Sequence, residues 1–152
     1  MLTGAMTGVF GIYANAIMPG LRAADDRTFV GAFQAIDRAI INPLFMFTFL
    51  GALVCTAVAA GLQLGERSVL VWIAAAFALY LAIVVITLAV NVPLNDALKS
   101  AGDPDRITDL ATVRDRFDEA RWVAWNIVRA ILSAVAFACL AWALVEYGRA
   151  SG

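Results

Sequence analysis

The chain has 152 residues, 62% of them hydrophobic and 15% charged, with a net charge of -1 and a mean hydropathy of +0.83. A soluble domain of this size carries about 25% charged residues, so the composition excludes an ordinary water-soluble globule. The lack of a sustained basic patch argues against a nucleic-acid partner. There is no histidine, which removes histidine-ligated haem and histidine-based zinc or iron sites. The two cysteines, Cys55 and Cys139, sit inside apolar runs and match no disulfide or metal spacing.

Segment one, residues 1–21, is apolar apart from its threonines and Asn15. It lacks a basic leader, and Arg22 follows Gly20–Leu21 in place of a cleavage motif, so it reads as a retained transmembrane helix rather than a signal peptide. Gly4, Gly8, Gly11, Asn15 and Met18 recur at helical spacing and share one face, where small residues would let a neighbouring helix approach. Pro19 is expected to bend or end this helix. Next, Phe29, Phe33, Ile36 and Ile40 recur at helical spacing behind Asp25 or Asp26 as a cap. That pattern predicts an amphipathic helix at the interface or folded under the rest.

Segment two, residues 43–64, begins with Asn42 as a helix cap and Pro43 at the first helical position. The short Gly65–Glu66–Arg67–Ser68 link forces an antiparallel hairpin with segment three, residues 69–90. At its end Thr87, Asn91 and Asn95 are four apart and stack on one face. Pro93 between the asparagines removes a backbone donor and frees a carbonyl near residue 89. Gly102, Asp103 and Pro104 mark a turn. Ile107, Leu110, Val113 and Phe117 then form one face of a helix expected to lead into segment four, residues 122–147. At about 1.5 Å per residue, each segment reaches across a hydrocarbon core of about 30 Å.

The expected fold is therefore all-α: a single integral membrane domain over residues 1–152, built as an antiparallel four-helix transmembrane bundle. An amphipathic helix lies in the first connection and a helical extension precedes the fourth span. Arg22, Arg27, Arg38, Lys99, Arg106, Arg114, Arg116 and Arg121 follow segments one and three, whereas the opposite side carries Arg67 and Arg149. The positive-inside rule puts the long connections in the cytoplasm and both termini outside a cell membrane.

Arg129 is the most informative residue. It lies about 10 Å along the helix from Trp122, too deep for a boundary charge, and an arginine at such depth needs a partner or a wet site. Its cost predicts a hydrogen bond to Asn91 or Asn95, or to an acidic group among Asp37, Asp96 and Asp118. Trp125, Asn126 and Ser133 lie three or four residues from it. Under the inferred topology Asn15, Asn42, Asn91, Asn95, Asn126 and Arg129 all fall at the cytoplasmic end, with Tyr13, Phe45, Tyr80, Trp122 and Trp125 nearby. Such a lining suits a planar, partly apolar molecule with carbonyl or phenolate oxygens, and the guanidinium offers fixed donors to a developing anion. The candidate catalytic residues are Arg129, Asn91 and Asn126. The candidate substrate-binding residues are Asn95, Trp125, Asn15, Asn42, Asp37 and Thr87. Asp37 is the one candidate base, and no metal ligands are assigned.

The run Thr87-Leu-Ala-Val-Asn91-Val-Pro93-Leu-Asn95, with Arg116-Phe117 and Trp122-Val-Ala-Trp125-Asn126-Ile-Val-Arg129 after it, resembles the anthrone-oxygenase-like family of small membrane proteins. Met18-Pro19-Gly20-Leu21, Phe33-Gln-Ala-Ile-Asp37 and Asn42-Pro43 are similar to that family's pattern as well. The resemblance implies a polar core of Asn91, Asn95, Trp125, Asn126 and Arg129, with Asn15 and Asp37 as second choices. It also implies oxidation of an aromatic, anthrone- or polyketide-like compound by dioxygen without a metal, flavin or other cofactor. The alternatives are a small-molecule binding or transport protein and a membrane scaffold or accessory subunit without catalysis. Expected partners are membrane lipid, an aromatic small molecule and, through the glycine face of segment one, a second copy of the chain.

Overall fold

The computed structural model describes residues 1–151, and among them every regular element is helical. Three stretches are long and apolar enough to cross a membrane: Pro43–Leu62, Arg67–Ser100 and Leu110–Ser151. Segment one is helical throughout but is not one of the three, because Thr3, Thr7, Tyr13, Asn15 and its glycines dilute its hydropathy.

The chain opens with α1 (Leu2–Ile12), widens into a π-helical turn over Tyr13–Ile17 and continues as α2 (Met18–Arg22). The wide turn explains which face is buried. Thr3, Met6, Phe10 and Tyr13 point inward at ordinary spacing, and the next fully buried residue, Met18, comes five positions later. One extra residue in the turn has rotated the helix. The expected glycine face is therefore not the packed one. Only Gly4 meets a neighbouring helix, at Phe137, while Gly8 and Gly11 look onto open space.

α3 (Asp26–Ile40) is the predicted amphipathic helix. Asp25 caps it by accepting from the Thr28 amide at 2.9 Å, and those donors hold its carboxyl below its ordinary pKa. Phe29 and Phe33 are buried, Ile36 and Ile40 partly so, and the helix folds against α2, α6 (Val92–Ser100) and α7 (Leu110–Arg116). It closes one end of the molecule rather than lying apart from it. Gln34 ties it down by donating to the carbonyls of Leu98 and Gly102, at 2.9 and 3.0 Å.

α4 (Pro43–Leu62) starts at the expected cap: the Asn42 side chain accepts from the Phe45 amide at 3.0 Å and donates to the Ala39 carbonyl at 2.9 Å. α5 (Arg67–Ile86) passes through a second π-helical turn, Thr87–Asn91, into α6, so this rod runs ten residues past the predicted end of segment three. In both wide turns a proline follows two residues later, Pro19 and Pro93. Lacking an N–H, each proline leaves the preceding turn without its usual donor, and the ladder shifts there to the longer bond. The Val92 amide accordingly donates to the Thr87 carbonyl.

At the Gly102–Pro104 turn Gly102 takes φ +85°, and Asp103 caps the 3-10 turn Pro104–Arg106. The expected extension before segment four exists as α7, but it does not run into α8 (Glu119–Ser151). Asp118, at φ +48°, breaks the chain direction, and its side chain accepts from the Arg121 amide at 3.2 Å. Asp118 thus starts a new helix instead of continuing the old one.

α1, α4, α5 and α8 pack as a ring of neighbours, with α8 against both α1 and α5, and α4 against both α5 and α1. Three apolar clusters follow the long axis. Val69, Ile73 and Ala143 hold the hairpin end; Met6, Phe10, Phe49, Tyr80 and Ile83 hold the middle; Phe29, Phe33, Phe117 and Trp122 hold the α3 end. The outward faces stay apolar, with Leu44, Phe47, Leu62, Leu88 and Leu144 all more than 60% exposed. A surface of that kind needs lipid rather than water as its solvent.

Candidate functional site

Both wide turns lie at the same end of the molecule, facing α8, and a cavity of about 110 Å³ opens between them under α3. Phe10, Tyr13, Phe33, Phe45 and Trp122 supply its aromatic walls. Asp37, Thr87, Asn91, Asn95, Asn126 and Arg129 supply its polar atoms.

α8 places Trp122, Asn126, Arg129 and Ser133 on its buried face, at successive spacings of four, three and four residues. Arg129 is 6% exposed. Its Nη1 donates to Thr87 Oγ1 at 3.1 Å and its Nη2 to Asn126 Oδ1 at 2.9 Å. The guanidinium also lies 4.6 Å from the Phe10 ring centroid and 5.6 Å from that of Trp122, a geometry in which ring faces attract a cation. This corrects the expectation that Arg129 pairs with Asn91, Asn95 or an acid. Among the described residues its partners are a threonine, its own-helix asparagine and two rings, and no carboxylate bridges it. The physical reason is depth: Arg129 lies about 10 Å along α8 from Trp122 and meets Thr87, while Asn91 and Asn95, further along their rod, meet Trp122 instead.

Asn126 is itself positioned by backbone: Nδ2 donates to the Phe10 carbonyl at 3.0 Å, just before the first wide turn. Asn91 Nδ2 reaches the Trp122 carbonyl at a long 3.4 Å. Asn95 bridges two elements, accepting from Trp122 Nε1 at 2.7 Å and donating to Asp37 Oδ1 at 2.7 Å. Asp37 is 5% exposed. Its other oxygen lies 3.1 Å from Lys99 Nζ, and Lys99 pairs at 2.9 Å with the exposed Asp96. A chain of polar contacts therefore runs from Trp122 through Asn95, Asp37 and Lys99 to the surface.

Three buried side-chain atoms of the cavity lining lack a hydrogen-bond partner: Asp37 Oδ2, which is paired by charge alone with Lys99 at 3.1 Å, Asn91 Oδ1, an acceptor, and Arg129 Nε, a donor. Such atoms are costly, at about 1–3 kcal/mol each, and two of opposite sense in one cavity match a group that both donates and accepts. A hydroxyl is the simplest such group.

Of the residues singled out in the sequence, Arg129, Asn91, Asn126, Asn95, Asp37 and Thr87 meet at the cavity. Three do not. Asn15 is exposed, because the first wide turn carries it to the outer side of the helix. Asn42 is exposed and consumed as the cap of α4. Trp125 stands on the flank of the α8 face, 37% exposed, and Trp122 takes the inward place assigned to it. Tyr80, also expected nearby, is buried in the middle cluster with its hydroxyl donating to the Phe49 carbonyl at 3.0 Å.

Phe10, Phe33 and Lys99 are site residues that sequence reasoning missed. Lys99 had a signal, since it continues the Thr87–Asn91–Asn95 series at the same spacing of four. Phe10 had none, because its role comes through a carbonyl and a ring face. Among the described residues no group of three or more acidic or cysteine side chains clusters as a metal site would require.

No curated protein matches the chain, and neither does any solved structure. The sequence profile of the anthrone oxygenase family does match it, over residues 29–139, which take in most of α3 through most of α8, with Asp37, Thr87, Asn91, Asn95, Asn126 and Arg129 of the cavity. With well over half its length inside that match, the chain belongs to the anthrone oxygenase family.

Proposed function

We propose that the protein is a membrane-embedded oxygenase that binds an electron-rich, hydroxylated aromatic compound in the cavity and oxidises it with dioxygen. The observation that carries this reading is the pair of unpartnered atoms, Asn91 Oδ1 and Arg129 Nε, inside an aromatic-walled cavity. A phenolic O–H donates to the asparagine, and the phenolate or enolate formed from it accepts from the guanidinium. Preorganised donors in a water-poor site favour the anion far more than water does. Asp37, which lines the same cavity, receives the proton, and Lys99 links it to the surface. Electron-rich anions of this class pass an electron to dioxygen directly. In the anthrone case the ring CH2 becomes C=O, with one oxygen atom retained and the other released as water.

The chain that holds this site is proposed to be one domain crossing a cell membrane four times as an antiparallel bundle. Segment one forms the fourth crossing, and both termini lie outside. The basic residues of the α3–α7 end support that orientation. The cavity then opens near the cytoplasmic face, and membrane lipid contacts the outer surfaces of α4, α5 and α8.

Oxygen uptake by purified protein in nanodiscs, given anthrone or a simple hydroquinone, tests the activity. Uptake is expected to be stimulated above the spontaneous rate and to be lost in Arg129→Gln. No stimulation and no binding of any hydroxylated aromatic would overturn the reading.

A further inference from the structure

The size of the cavity and the chemistry of its mouth narrow the ligand further, on the reading that the cavity is a ligand site. A cavity of about 150 Å³ is known to hold one benzene ring. This one is about 110 Å³. Being smaller, it takes at most a single six-membered ring, with its substituents toward the mouth, and no fused tricycle unless Phe33 or Trp122 moves, and both are pinned. Phe33 packs edge-on to Phe117 at 4.6 Å and to Trp122 at 5.7 Å, while Trp122 is held to Asn95 at 2.7 Å.

The mouth differs in chemistry from the floor. Asp37, Asn91, Asn126 and Arg129 are buried at depth, none more than 6% exposed. Where the lining reaches the surface it is mainly apolar: Ile36, Ile40, Ile41, Phe45 and Val92, with Ile41 57% exposed. The two polar groups at that rim, Thr87 and Asn95, are already engaged in hydrogen bonds within the protein. Leu44 and Leu88, next in sequence to the lining residues Phe45 and Thr87, are 74% and 63% exposed. The rim is formed at the junction of α3 and α4, where the apolar stretch Pro43–Leu62 begins. A polar floor behind an apolar mouth, set where an apolar membrane-length helix begins, suits a molecule with a polar ring at one end and an aliphatic chain at the other.

We infer that the site takes a lipid-soluble amphiphile with a single hydroxylated aromatic ring as its head and a hydrocarbon tail. The head enters from the bilayer between Ile41 and Val92, and the tail lies across the mouth. A fatty acid has a tail as well, but its ionised carboxylate is acceptor-only and leaves Asn91 Oδ1 unpartnered. A ring hydroxyl satisfies both orphaned atoms, and the ring fills the space between Phe10, Tyr13 and Trp122.

Binding to the protein in nanodiscs, read by quenching of tryptophan emission, tests the inference with four probes: decylhydroquinone, methylhydroquinone, anthrone and decanoate. Two methylenes held at the mouth are worth about tenfold in affinity, so decylhydroquinone is expected to bind about tenfold or more tightly than methylhydroquinone. Partition into lipid also favours the longer probe, and Ile41→Glu separates the two causes. The variant is expected to collapse the ratio between the two hydroquinones, and Leu44→Glu serves the same purpose if Ile41→Glu does not fold. Anthrone and decanoate are expected to bind more weakly than decylhydroquinone. A ratio unchanged in a folded mouth variant, or anthrone or decanoate binding as tightly as decylhydroquinone, overturns the inference. If anthrone binds best and is oxidised, the proposed oxygenase survives while the single-ring ligand falls. If no probe binds, both fall.

Discussion

Arg129 spends both Nη atoms on Thr87 and Asn126 and leaves Nε without a partner in the cavity. The planar fork matters here, because its two arms reach different helices while the third donor stays buried and unpartnered. Arg129→Lys puts a point charge where three directed donors stood. It is expected to fold yet to bind hydroxylated aromatics no better than Arg129→Gln, as measured by tryptophan quenching. Arg129→Leu is expected to raise thermal stability while abolishing binding, since replacing a buried charge by an apolar side chain is often neutral or stabilising by about 1–4 kcal/mol. A Lys variant with full binding would show that charge alone is enough. At this scale the sequence was most legible along α8, where Asn126, Arg129 and Ser133 fall on one face by simple counting. It was least legible at Asn15 and Trp125, whose polarity and ring suggested a site that their orientation denies them.

The two π-helical turns decide the orientation of everything at the α3 end. Each adds one residue to a helix and so shifts later side chains by about 100° around the axis. Removing one residue from the ordinary helix ahead of Thr87–Asn91, for example the exposed Val85, turns Asn91 and Asn95 by about 100° relative to the rest of α5. The deletion variant is expected to keep its helix content by circular dichroism but to lose ligand binding, along with the Trp122–Asn95 hydrogen bond seen in the tryptophan emission maximum. Unchanged binding would mean that the register of Asn91 and Asn95 is incidental to the site. Helix starts were readable because they are local: Asn42–Pro43 caps α4 and Asp25 caps α3, each through an amide three residues on. The break at Asp118 was not, because a non-glycine residue at positive φ has no reliable sequence signature.

The molecule as a whole divides into an apolar ring of helices and a polar cap made of α3, α6 and α7. The proposed topology puts that cap in the cytoplasm, and single-cysteine labelling checks it. In a chain with Cys55 and Cys139 changed to alanine, Ser100→Cys is expected to react with an impermeant maleimide only after the cells are opened. Glu66→Cys, in the hairpin link, is expected to react from outside. The reverse pattern would invert the orientation and move the cavity mouth to the other leaflet.

By itself, the sequence determined the apolar, membrane-like character, the helical class and the starts of α3 and α4, because composition and capping act over a few residues. It also determined which polar residues had to be accounted for, since an arginine or asparagine inside an apolar run is costly wherever it points. Tertiary structure alone decided which of them face one another. Trp122 rather than Trp125 became the wall, Thr87 rather than Asn91 became the partner of Arg129, and Asn15 was turned outward. Those choices depend on how one helix is rotated and staggered against another, to which the wide turns before Pro19 and Pro93 contribute. A one-residue change in helical register carries almost no local signal, yet it moves every side chain beyond it.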